Sequence, residues 1–222
     1  MTPRLTLTRR SLLQSSAIIF AGLFSRAMPT EAASGDRSLK LLLAGNQRYI
    51  SNQLLHQHQT GARIQEVALS QRPIACILGC ADSRVPPEII FDQGLGDLFV
   101  VRVAGNGLND AVLGSIEFAA IELGVPLVLV LGHERCGAVT AAVRQAQAFG
   151  HVSTLLQAIQ PAIALVKDQP GDPIDNAVRA NVRRVVAELQ VSQSIVDLVQ
   201  QDKLKVVGAR YDLDKGAIEL IA

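Results

Sequence analysis

Three short apolar runs constrain the fold of this chain more than any other feature of its sequence. They cover residues 74–78, 98–103 and 127–131, and each is rich in Val, Ile and Leu and bounded by Gly or Pro. Such unbroken runs are typical of strands buried on both faces of a parallel sheet. Between the second and third runs, residues 111–123 have helical periodicity and end at Gly-Val-Pro. This alternation predicts an α/β fold.

Helical periodicity covers four further segments, and the first of them would form an N-terminal helical arm. The four are residues 38–50, 136–149, 153–166 and 174–200. Two late strands, at residues 204–211 and 217–221, flank Asp-Leu-Asp-Lys-Gly, which is a turn signal for a hairpin. No internal repeat or interdomain linker is visible, so residues 34–222 are predicted to form one domain.

The first 33 residues are predicted to be an export signal. Arg9-Arg10 precedes an apolar run at residues 17–24, which Arg26 follows closely. This pattern resembles a twin-arginine signal peptide, and an uncleaved anchor is the alternative. We expect residues 1–33 to be removed and the remaining protein to act in a periplasm or a thylakoid lumen, with membrane contact only through the signal segment.

Charge and apolar content limit the classes of partner. The chain has 21 basic and 20 acidic residues, and residues 1–33 hold four of the arginines and one glutamate. The nearly neutral remainder gives no support for nucleic-acid binding. Hydrophobic residues make up 49% of the chain and charged residues 18%, which indicates buried contacts between subunits.

Three cysteines are an odd number for an exported protein, which indicates a use other than disulfides alone. Cys76 and Cys80 would lie about 13 Å apart on one strand, beyond the reach of a disulfide. Metal binding explains these cysteines better than a disulfide does.

Unusual side chains follow the first and third apolar runs. Cys80, Asp82 and Arg84 come after the first, and His133 and Cys136 come after the third. Because ligands bind at the carboxyl ends of parallel strands, both segments point to one place. Two cysteines and one histidine are zinc ligands, and three protein ligands leave the fourth position open, as in catalytic sites.

Asp82 and Arg84 are two residues apart, so an extended segment projects both to the same side as Cys80. Asp82 could accept a hydrogen bond from a metal-bound hydroxide, while Arg84 keeps the carboxylate ionised and oriented. The alternative is that the two residues only brace a turn. A lone cysteine at a strand end is, by itself, more often a small buried hydrophobe.

The sequences CADSR at residues 80–84 and HERCG at residues 133–137 resemble the two signature segments of β-class carbonic anhydrases. The resemblance extends to the arm at 43–49, the link at 85–102, and residues 114–118 and 128–132. It implies a central sheet of four mainly parallel strands plus a C-terminal strand, flanked by helices. It also implies homodimers or homotetramers and one Zn²⁺ per subunit, bound by Cys80, His133 and Cys136.

The same resemblance implies an active site at the dimer interface. There, Gln71 from one subunit and Phe99 line a narrow pocket for CO2, and Phe118 stands where relatives commonly carry Tyr. The implied reaction is the reversible hydration of CO2 to bicarbonate and a proton by a zinc-bound hydroxide. Two residues, Glu134 and His151, are candidates for the proton shuttle.

Two other functions remain open on sequence grounds. CS2 and COS are linear triatomic molecules like CO2, so a CS2 or COS hydrolase on the same scaffold would use the same hydroxide. A zinc-binding protein without catalysis is the second alternative. A further hypothesis is that Asp82 moves onto the metal at low pH, when its pairing with Arg84 is lost.

Overall fold

A computed structural model describes residues 34–222. Its centre is one five-stranded sheet in the order β2-β1-β3-β4-β5, in which the first four strands are parallel and β5 is antiparallel to β4. The strands are β1 Ala75–Gly79, β2 Leu98–Arg102, β3 Leu127–His133, β4 Lys205–Tyr211 and β5 Ile218–Leu220. The predicted α/β class, four parallel strands and C-terminal strand are confirmed. The signal segment predicted at residues 1–33 lies outside the described residues.

Helices connect and flank these strands. The α-helices are α1 Gly35–Ile50, α2 Gly61–Val67, α3 Pro87–Ile90, α4 Asp110–Glu117, α5 Gly137–Val143, α6 Val152–Val166, α7 Pro173–Gln190 and α8 Val196–Gln200, and a π-helical segment, Phe118–Glu122, continues α4. The predicted arm is α1, which begins where the Ser34 side chain accepts a hydrogen bond from the Arg37 amide. Within residues 34–222, no helix is both long and apolar enough to span a bilayer.

The two faces of the sheet are covered by different helices. Alternate residues of β1 and β3, such as Cys76 and Val130, belong to one apolar cluster with Val185 of α7. The intervening residues, such as Ile77, face the cluster that contains Leu42 of α1. This alternation follows from the strand period of two and explains why β1 and β3 are buried along their full length.

The prediction that all three apolar runs are buried on both faces is wrong for β2. Its first four residues are half-buried and Arg102 is exposed. The reason is position, because β2 is the edge strand and pairs only with β1. The described chain leaves part of this apolar edge uncovered.

One predicted helix is shorter than the periodicity indicated, and another is divided into two. The helix predicted at 136–149 is only α5, because Gln145 has φ of +51° and turns the chain out of the helix. The stretch predicted as one helix at 174–200 is α7 and α8, separated by a turn that buries Ile195 completely. Helix α2 was not predicted.

The hairpin predicted at the C-terminal end is confirmed. Gly216 donates from its amide to the Asp212 carbonyl, and its φ of +71° is a conformation that glycine adopts without strain. The turn joins β4 to β5 and brings Leu213 beside the end of β3.

Candidate metal centre

The three predicted zinc ligands meet at the carboxyl ends of two adjacent parallel strands. Cys80 directly follows β1, His133 is the last residue of β3, and Cys136 directly precedes α5. All three residues are buried, and their ligand atoms lie within 4.8 Å of one another. His133 was expected to follow the strand, but β3 extends through it because it pairs with Tyr211 of β4.

The geometry of these atoms fits a zinc ion. The Sγ atoms of Cys80 and Cys136 lie 3.9 Å apart, and two thiolates bound to one tetrahedral zinc lie about 3.8 Å apart. This centre is formed entirely within one chain.

The tautomer of His133 leaves one nitrogen for a metal. Its Nδ1 lies 2.8 Å from the Glu134 carbonyl oxygen, which can only accept, so Nδ1 carries the hydrogen. Its Nε2 is buried and has no hydrogen-bond partner among residues 34–222. An unpaired buried nitrogen costs free energy unless something binds it. Both observations are explained if Nε2 binds a metal while Nδ1 donates to the Glu134 carbonyl.

The two sulfurs have opposite pKa shifts. A hydrogen bond from Cys136 lowers the pKa of the Cys80 thiol to about 4, with the amide of Gly105 contributing. The hydrogen bond to Cys80 and burial raise the pKa of Cys136 far above its usual range. Hydrogen bonding between the two sulfurs therefore favours a single thiolate, and a cation bound to both would hold both as thiolates.

Asp82 and Arg84 form the predicted bidentate pair beside these ligands. Arg84 donates from Nε to Asp82 Oδ1 at 2.9 Å and from Nη2 to Oδ2 at 2.8 Å. This hydrogen bonding holds the pKa of the Asp82 carboxyl well below its usual range. Asp82 Oδ2 lies 3.8 Å from His133 Nε2, so the ionised carboxylate borders the ligand cluster.

Two residues of the site were missed by the sequence reasoning. Arg102 donates from Nε to the Cys80 carbonyl at 2.8 Å and from Nη2 to the Asp82 carbonyl at 2.5 Å. The Gly105 amide donates to Cys80 Sγ at 3.3 Å. Both lie at the carboxyl end of β2, which neighbours β1. That shared edge was the signal that could have identified them.

The predicted substrate-binding residues lie away from the cluster of metal ligands in the structure. Gln71 is exposed and precedes the amino end of β1, whereas Cys80 follows its carboxyl end. Phe99 is in register with Cys76, about 13 Å along the strand from Cys80. The Phe118 ring lies 6.2 Å from the Phe99 ring and is 49% exposed. A single chain therefore does not place Gln71 and the zinc ligands at the same end of the sheet.

The candidate proton shuttles have different surroundings. The Glu134 carboxylate accepts from Arg210 Nη2 at 2.6 Å and from the Leu213 amide at 2.9 Å. These contacts fix Glu134 to the C-terminal hairpin. His151 is exposed where α6 begins.

Comparisons with known proteins agree with this geometry. The family model described as carbonic anhydrase matches residues 75–218. Carbonic anhydrase 2 of Mycobacterium tuberculosis is 41% identical over 182 residues, which cover 80% of this chain and 88% of the relative.

Solved structures share the fold. A β-carbonic anhydrase of Aspergillus fumigatus superposes with a TM-score of 0.66 at 27% identity, covering 82% of this chain and 89% of that chain. A tetrameric β-carbonic anhydrase of Sordaria macrospora gives a TM-score of 0.69 at 23% identity, covering 83% and 97%. The sequence match and the buried Cys-His-Cys cluster together show that the chain belongs to the carbonic anhydrase family, in its β-class.

Proposed function

We propose that this chain catalyses the reversible hydration of CO2 to bicarbonate and a proton, with one zinc ion held by Cys80, His133 and Cys136. The observation that carries the proposal is the arrangement of an ionised Asp82, clamped by Arg84, at 3.8 Å from the unpartnered nitrogen of His133. Zinc bound at such a site acts as a Lewis acid that lowers the pKa of water from about 15.7 to about 7.

Asp82 orients the nucleophile in this mechanism. A carboxylate only accepts hydrogen bonds, so Asp82 accepts a hydrogen bond from the attacking oxygen and leaves a lone pair of that oxygen directed at CO2. Arg84 keeps Asp82 ionised and fixes its plane through two parallel hydrogen bonds. Arg102 binds the carbonyls of Cys80 and Asp82 and so holds a ligand and the orienting group on one rigid turn.

A second copy of the chain completes the substrate pocket in this proposal. Gln71 hydrogen-bonds an oxygen of CO2 or bicarbonate, and Phe99 and Phe118 form the apolar wall. What supports it is the separation of Gln71 from the zinc ligands in one chain, and the exposure of Phe118 beside the uncovered edge strand β2. The Sordaria macrospora relative is tetrameric, and we propose a homodimer or homotetramer here.

Asp82 could also close the site in acid. Loss of the pairing with Arg84 at low pH would free the Asp82 carboxylate to move toward the ligand cluster. X-ray absorption spectroscopy at the zinc edge from pH 8 to pH 5 tests this step. A first coordination shell that stays the same across the acid range would exclude it.

The proposed location of the enzyme rests on the sequence alone. We propose that residues 1–33 direct export through the twin-arginine route to a periplasm or thylakoid lumen, because Arg9-Arg10 precedes an apolar run. Replacement of both arginines by lysine should retain the protein in the cytoplasm. Amino-terminal sequencing of the exported form should begin near residue 33. Export that is unaffected by the double lysine variant would contradict the proposal.

Stopped-flow gas assays test the activity directly. The zinc-loaded protein is offered CO2, COS and CS2 in turn, and CO2 hydration is expected to be fastest. Faster hydrolysis of COS or CS2 would identify a hydrolase on the same scaffold. Absence of turnover on all three gases, with full zinc content, would leave a zinc-binding protein without catalysis.

A further inference from the structure

A tight turn after β2 supplies the hydrogen bond to Cys80. The Asn106 amide donates to the Val103 carbonyl at 2.9 Å, and Gly105 between them has φ of +77°. That φ is typical of the third residue of a type II turn. In a type II turn the central amide is reversed relative to type I, and here its N–H faces Cys80 Sγ at 3.3 Å. The direction of this N–H therefore depends on the turn type.

Gly105 has little freedom to change. A Cβ at this position would lie 2.6 Å from Cδ1 of Ile159, and its φ is one that side chains rarely tolerate. Glycine permits the type II turn, but glycine is also flexible. Something else has to select this conformation.

Asn181 stabilises this turn conformation through the Gly105 carbonyl. It lies on α7, is fully buried, and donates from Nδ2 to the Gly105 carbonyl at 2.9 Å. Its Oδ1 accepts from Arg184 at 3.4 Å, and Arg184 also donates to the Ala158 carbonyl. The amide side chain is therefore fixed by its own helix and by α6.

The surroundings of Asn181 make its polarity costly. Residues three or four positions away on α7, Ala177, Val178 and Val185, are buried and apolar and share its side of the helix. A buried amide among apolar side chains is unfavourable unless its hydrogen bonds are made. Both ends of Asn181 are satisfied, and one of them is the turn that contacts a zinc ligand.

We propose that Asn181 is a positioning residue of the zinc centre, which holds the Gly105 carbonyl so that the Gly105 N–H stays directed at the Cys80 sulfur. The inference rests on the proposed zinc site but not on CO2 being the substrate. An N–H donor at a thiolate withdraws charge from the sulfur, so the bound cation stays more acidic, as outer partners of metal ligands commonly arrange.

Substitution Asn181→Leu removes the hydrogen bond and keeps the branched shape of the side chain. Zinc affinity, measured by competition with a chelator, is expected to fall about 10-fold. The cobalt-substituted protein should show a shifted sulfur-to-cobalt charge-transfer band, because the charge on Cys80 Sγ changes. The milder Asn181→Ser variant serves if the leucine variant does not fold, and the same shift is expected there.

Val185→Ala is the matched control. Val185 is also fully buried on α7, and it belongs to the apolar cluster that contains Cys76, not to the cluster of the ligands. The Val185→Ala substitution should lower the free energy of unfolding without shifting the cobalt charge-transfer band. A foldable Asn181 variant with an unchanged band and unchanged zinc affinity would overturn the proposal. A protein that binds zinc normally and fails to hydrate CO2 would instead contradict the proposed function alone.

Discussion

The zinc ligands and the proposed substrate pocket differ in how much of their structure one chain provides. Cys80, His133 and Cys136 are buried and converge within 4.8 Å of one another. Gln71 is exposed at the opposite end of β1, and Phe118 is half-exposed near an edge strand. The difference teaches that metal binding is a property of the single subunit, whereas turnover is proposed to require its assembly.

The largest effect is expected from removing one of the metal ligands, which a single subunit provides. Cys136→Ala leaves two protein ligands, which is fewer than catalytic zinc sites use, so zinc binding and CO2 hydration should both be lost. Metal analysis and stopped-flow hydration measure the two properties. Cys76→Ala is the control, since Cys76 is buried under α7 away from the cluster. A Cys136→Ala protein that hydrates CO2 at the original rate would remove the metal from the mechanism.

A smaller effect is expected when the three metal ligands are kept and the orienting carboxylate is removed. Asp82→Asn should lower kcat/KM about 100-fold, since it removes a preorganised group aimed at the reacting oxygen. Zinc content should not change, because Asp82 is not one of the three ligands. The exposed neighbour Ser83 gives the control Ser83→Ala. If Asp82→Asn leaves hydration unaffected, the pair with Arg84 only braces the turn.

Gln71→Ala tests the other region and should have a weaker effect. Loss of one hydrogen bond to a substrate oxygen is worth about 1.4 kcal/mol, or about 10-fold in kcat/KM. Zinc content and the subunit's own metal geometry should stay as they are. The adjacent exposed residue permits Arg72→Ala as the matched control. Equal rates for Gln71→Ala and the unmodified enzyme would exclude Gln71 from the pocket.

The smallest effect on turnover is expected at Asp92, which anchors the amino-terminal arm. It accepts from Arg48 Nε at 2.6 Å and from the amides of Leu55 and His56 at 3.1 Å. Burial alone would raise the pKa of Asp92, but these hydrogen bonds outweigh it and lower the pKa. Asp92→Asn should cost about 1–3 kcal/mol of unfolding free energy at pH 7 and leave zinc content intact.

The sign of the pH dependence follows from that lowered pKa. The stabilisation is fully present above the ordinary carboxyl pKa of about 3.9 and is lost as the pH falls through the folded value. Urea unfolding at pH 7 and at low pH should therefore show the gap between Asp92→Asn and the unmodified protein closing in acid. A gap that widens in acid would contradict this account of Asp92.

The sheet and the ligand set were predictable because they depend on local patterns. Apolar runs at residues 74–78 and 127–131 predicted two strands, and the cysteines and histidine that follow them predicted the cluster of candidate ligands. Asp82 and Arg84 were predictable for the same reason, since a spacing of two residues sets a common side.

Other parts depend on contacts that no local pattern encodes. Asn181 reaches Gly105 across 76 positions of sequence, and its role depends on how α7 lies on the sheet. The end of α5 depends on a left-handed Gln145, which periodicity does not register. The pocket was implied only by family resemblance, because Gln71 and Cys80 are at opposite ends of one strand.

Subunit complementation tests the contrast between the two regions most directly. Cys136→Ala and Gln71→Ala chains, carrying different tags, are refolded together so that mixed dimers form. If Gln71 serves the partner's metal, one site per mixed dimer is intact, and the mixture should hydrate CO2 about fivefold faster than the separate proteins combined, given a tenfold deficit for Gln71→Ala. Mixed dimers that form but show no gain would place Gln71 and the zinc of its own chain in one site, contrary to the account.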